Sequence, residues 1–114
     1  MTSRRFALVA IGLLSACGSP GPLEAFGSPP ATLTISVGQE LRITMRTIGP
    51  GEYVSPPTIT DSAIEFLGLV PADVQVPAGV TQVFRFRGVA SGEAIIRFRN
   101  TDTRPDVSDT VRVR

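Results

Sequence analysis

The chain has 114 residues, 42% of them hydrophobic and 18% charged, with 11 Gly and 10 Pro, which suffices for one small domain. It contains no His, no Trp and a single Cys, so a His-based general base, a multi-His zinc site and an internal disulfide are excluded. All eleven basic residues are Arg, set against ten Asp and Glu for a net charge of +1, and that balance gives no reason to expect a nucleic-acid binder.

Arg4 and Arg5 precede an apolar run, Phe6 to Leu14, about half the length that spans a bilayer as a helix. The segment reads as a secretory signal. Leu14–Ser15–Ala16–Cys17 then resembles the lipobox of bacterial lipoproteins, in which cleavage before the Cys leaves it as the first, acylated residue. That resemblance implies a signal peptide over residues 1–16 and lipidation at Cys17. Each buried acyl methylene contributes about 0.8 kcal/mol, so several chains (a palmitate among them) hold the protein on a membrane durably. Ser3–Arg4–Arg5–Phe6 is also similar to a twin-arginine export signal, and both export routes stay open. Gly18, rather than Asp, follows the Cys, which by the same resemblance implies the outer membrane. Cleavage leaves nine Arg against ten acids.

From Gly18 to Pro30 the chain is too rich in Pro and Gly for a helix or central strand, so residues 17–30 are predicted as the acylated Cys and a flexible tether. Extended at roughly 3 Å per residue, it would hold the following domain about 30 to 40 Å from the lipid.

Residues 31–114 alternate with period two and show no sustained helical periodicity. Leu33, Ile35 and Val37 form one apolar face, followed by Leu41, Ile43 and Met45 after the Gly38–Gln39 turn. A turn-rich stretch from Ile48 to Pro57 precedes a strand over 63–70. Phe84 and Phe86 oppose Arg85 and Arg87; Ala94, Ile96 and Phe98 oppose Ile95, Arg97 and Arg99; Val111 and Val113 oppose Arg112 and Arg114. About seven antiparallel strands with turn signals every 8 to 12 residues predict an all-β, immunoglobulin-like sandwich.

Little in this domain points to catalysis, and neither an enzyme nor a cofactor is expected. The strand-face arginines Arg85, Arg87, Arg97, Arg99, Arg112 and Arg114 read either as a phosphate- or sulfate-binding patch or, preferably, as a solvated face balanced by carboxylates. Asp102, Asp106 and Asp109 read as a polar hairpin turn rather than a cation loop, and no metal site is assigned.

The order of elements from Val37 to Val113 resembles the chagasin family of cysteine-protease inhibitors. The resemblance is carried by Val37–Gly38–Gln39–Glu40–Leu41–Arg42–Ile43, by Pro77 to Arg87 and by Ala90–Ser91–Gly92–Glu93–Ala94. It implies an immunoglobulin-like fold whose three loops at one end wedge into a papain-type cleft. In the first loop Gly49, Pro50, Gly51 and Tyr53 match the family's Asn–Pro–Thr–Thr–Gly–Tyr only in part. In the second Gly79 matches and Val80 replaces a glycine; in the third Arg104 and Pro105 match, with Asp106 where the family has Trp. The resulting expectation is a membrane-anchored, non-catalytic envelope module with binding or structural work, partnered by an unidentified envelope protein. The alternative is a chagasin-like inhibitor partnered by a papain-type cysteine protease.

Overall fold

The computed structural model describes residues 21–46, 51–70, 81–102 and 104–114. Eight strands make two four-stranded sheets: β1 (Leu23–Phe26), β2 (Thr32–Ile35), β3 (Glu40–Arg46), β4 (Thr58–Ile59), β5 (Ile64–Val70), β6 (Thr81–Gly88), β7 (Gly92–Phe98) and β8 (Val107–Val113). The first sheet runs β1-β3-β6-β5 and the second β2-β8-β7-β4.

Alternation decides what lies between them. Leu41, Ile43 and Met45 of β3 and Phe84 and Phe86 of β6 turn inward from the first sheet, and Ala94, Ile96, Phe98, Val111 and Val113 turn inward from the second. Phe98 bridges the layers: its ring lies 5.0 Å from that of Phe84 and 6.4 Å from that of Phe86, both edge-on, the arrangement that ring quadrupoles favour. The all-β, immunoglobulin-like sandwich expected from the sequence is therefore the fold.

Two departures concern the first strands. Leu23–Phe26 lies within the stretch expected to be tether, yet it pairs with β3 in parallel, and Gln39 Nε2 donates to the Gly21 carbonyl at 2.9 Å. Its exposed Phe26 ring stacks under the Arg46 guanidinium, 5.1 Å from the ring centre. β2 likewise pairs in parallel with β8, so the sandwich is not wholly antiparallel. The cause lies between them. Pro29 and Pro30 have no N–H to give a ladder, so the chain leaves the first sheet after Phe26 and rejoins at Thr32 in the second. Gly27 makes that crossing buried, where a Cβ would lie 2.5 Å from Met45 Sδ and 2.6 Å from both Asp109 Oδ2 and Ile43 Cγ2.

Asp109 corrects a further expectation. It is not part of a loop with Asp102 and Asp106 but a fully buried residue of β8, opposite Ile96. Its Oδ1 accepts from the Ala31 amide at 2.7 Å, and Oδ2 has no hydrogen-bond partner among the described residues. Burial pushes its pKa up to about 6 against the lowering effect of that amide.

Candidate functional site

Three connections leave the strands at one end of the sandwich. In the first sheet Arg46 is opposite Thr81 and Val70 is opposite Val83, so the β3–β4 and β5–β6 connections start side by side. In the second sheet Phe98 faces Val107 where β7 turns into β8. Gln82 ties the layers together at this end. Its side chain accepts from the Tyr53 amide at 2.8 Å and donates to the Tyr53 carbonyl at 3.0 Å, while Tyr53 forms a bridge with Asn100.

Within this cluster the β3–β4 and β7–β8 connections are stapled. Val54 N donates to the Arg99 carbonyl at 2.7 Å, Thr101 N to the Glu52 carbonyl at 2.8 Å and Glu52 N to Thr101 Oγ1 at 3.0 Å. Asn100 Oδ1 accepts from the Asp102 amide at 2.8 Å, which tightens the turn. Gly51 is required where the two connections touch. Its φ is +101°, and a Cβ there would stand 2.8 Å from Asp102 Cβ and 2.9 Å from Asn100 Oδ1. The result is two connections held together chiefly by backbone bonds.

The residues expected to meet a partner fare differently. Gly51, Arg104 and Pro105 do lie at this end, Arg104 and Pro105 exposed. Gly49, Pro50 and Gly79 lie outside the described residues, as does Cys17. Tyr53 is corrected: it is 6% exposed, its ring edge-on to Phe98 at 6.2 Å, so it anchors the loop to the core and offers no ring to a partner. Gln82, not anticipated, is the residue that joins loop to sheet. A polar residue at an inward position between Thr81 and the Phe84–Phe86 face was the signal for it. Asp106 is exposed beside Pro105.

The strand-face arginines divide in two. Glu40 accepts from both Arg42 Nε and Arg85 Nε at 2.8 Å, and these hydrogen bonds, Arg85 first, hold its pKa down to about 2. Arg112 pairs with Glu93 at 2.9 Å and Arg87 pairs with Glu65. These pairs fit the balanced, solvated face. Arg97, Arg99 and the terminal Arg114 have no such carboxylate among the described residues.

No protein-family profile matches this sequence. No curated protein matches it either. Among solved structures the chain is similar to the solution structure of amebosin, at 16% identity and a TM-score of 0.52, covering 82% of this chain and 99% of that one. It is also similar to the crystal structure of the cysteine protease inhibitor EhICP2 from Entamoeba histolytica, at 14% identity and a TM-score of 0.50, covering 82% of this chain and 96% of that one. At these identities the likeness is one of fold, and it spans nearly the whole of both neighbours.

Proposed function

We propose that this chain is a lipid-anchored, non-catalytic module of the bacterial envelope that presents its three-connection end to a papain-type cysteine protease. The observation that carries the reading is the stapled pair of connections around Tyr53 and Asn100 at the end where the β5–β6 connection also leaves. Connections fixed before binding lose little entropy on docking, which is what a wedge into a narrow cleft requires. A fold like that of the cysteine protease inhibitor EhICP2 supports the same reading.

The affinity expected is modest. Asp106 stands where the chagasin family has an aromatic anchor, and a Trp at an interface is often one of its main hot spots. Docking would also bring its carboxylate toward a catalytic thiolate, where like charges repel. Titration of papain with the full chain is the test. Micromolar inhibition is expected, tightened at least about tenfold by Asp106→Trp, a difference of about 1.4 kcal/mol. No inhibition by either protein would overturn the protease reading. Anchoring rests separately on Leu14 to Cys17. Cys17→Ser is expected to release the protein from the membrane fraction, and retention of an unacylated chain there would refute it.

A further inference from the structure

Along the outer faces of both sheets, the register sets each arginine against a particular neighbour. Arg87 lies between Glu40 and Glu65, and Arg112 lies across from Glu93. At Arg97 the same positions hold Thr58 on β4 and Ser108 on β8, two hydroxyls in place of carboxylates. Arg99 follows on the same face, about 7 Å along the strand. Asp106, two residues before Ser108, ion-pairs with neither. Arg97 and Arg99 line a cleft of about 70 Å³ whose other walls are Val54, Pro56, Pro57 and Thr58.

We propose that this cleft binds the phosphate of a phosphomonoester. Two permanently charged guanidiniums without a counter-ion among the described residues match a group of charge near −2, and their planar forks suit the oxygens of a phosphate. Thr58 supplies a neutral hydroxyl donor from the cleft wall. A phosphodiester or a sulfate ester carries a single negative charge and leaves one guanidinium uncompensated. At about 70 Å³ the cleft has room for the phosphate, with the rest of the ester at its open mouth. The site adjoins the stapled connections through Val54 and Arg99, but it is argued from its two arginines and its cleft and not from the protease reading.

Heteronuclear NMR titration of the full chain at constant ionic strength tests it, with phenyl phosphate, dimethyl phosphate and inorganic sulfate as probes. At pH 7.5 phenyl phosphate is expected to give saturable shifts confined to residues 54–58 and 97–99, with dimethyl phosphate binding several-fold more weakly. Lowering the pH to 5 converts the phosphomonoester, whose second pKa is about 6, to a monoanion and should weaken it several-fold. Inorganic sulfate, a dianion at both values, should bind equally at each. Replacing both arginines (R97Q with R99Q) should cost at least about tenfold in affinity, and R112Q none. Equal binding of dimethyl and phenyl phosphate, shifts spread over both sheets, or affinity unchanged in the double variant would overturn the proposal.

Discussion

On the outer face of the first sheet Glu40 sits between two guanidiniums, whereas inside the sandwich, where the chain crosses from β1 to β2, Asp109 has one backbone amide and nothing on its second oxygen. The pKa values move in opposite directions, down to about 2 for Glu40 and up to about 6 for Asp109. A carboxylate's protonation is thus set here by whether its charge has a partner, and burial without one favours the neutral acid. The two groups must impress opposite pH dependences on one fold. Asp109, raised from 3.8, contributes stability that is complete below about pH 4 and is lost as pH rises through 6. Glu40, lowered from 4.5, contributes stability that is complete above about pH 4.5 and is lost as pH falls through 2.

Removing the interior charge should change stability most. Asp109→Asn keeps an oxygen for the Ala31 amide and removes the ionisation. A shift of that size corresponds to about 2 kcal/mol between pH 4 and pH 7, so the stability of the variant relative to the parent should rise by about that amount across the interval. Urea denaturation of both proteins at the two pH values measures it. A difference that stays constant with pH would mean that Asp109 is ionised without penalty.

Next in size is Gly27→Ala, which sharpens the account of why Asp109 is isolated. The crossing is packed so closely that an added methyl meets Met45, Ile43 and the unpartnered Asp109 oxygen at once. Met45 can swing its thioether aside, but Ile43 is branched and lies in the central strand β3. The expected loss is about 1 to 3 kcal/mol, the usual range for overpacking, read as a lower denaturation midpoint at unchanged slope. An unchanged midpoint would show that the crossing has room, and with it space for water at Asp109.

This contrast was partly legible in the sequence. Glu40 and its alternation with Leu41 and Ile43 placed it on an outer face, but its partner Arg85 is 45 residues away and known only from the β3–β6 register. Asp109 is in phase with Val111 and Val113, so period two alone would have turned it inward; grouping it with Asp102 and Asp106 by composition hid that signal. β1 was obscured in the same way, because four strand residues lie between Pro22 and Pro29 and the surrounding Pro and Gly dominate any local window. The 63–70 strand and the Phe84, Phe98 and Val111 faces were legible because each is long enough to repeat its pattern. Tyr53 was not, since its burial depends on an isolated bridge to Asn100 and on Gln82, both distant in the chain.

Removing the charge of Glu40 should change stability least at neutral pH and distinctly in acid. Glu40→Gln leaves Arg42 and Arg85 facing each other across the β3–β6 ladder without the anion between them, while Glu24 remains 3.6 Å from Arg42 to take part of the charge. Because the cluster faces solvent, salt screens the repulsion and water solvates both guanidiniums, so the change near pH 7 should be minor and should shrink further at high ionic strength. In the acid limb the outcome differs. The parent loses stability as Glu40 gains its proton between about pH 4.5 and 2, and the Gln variant, having no proton to gain there, should lose less over the same interval. Thermal unfolding at pH 5 and pH 2.5, in low and high salt, separates the two proteins. Parallel acid limbs would show that the Arg85 and Arg42 hydrogen bonds do not hold the carboxylate in solution. A salt-independent difference near pH 7 would show that Glu40, like Asp109, is governed by burial.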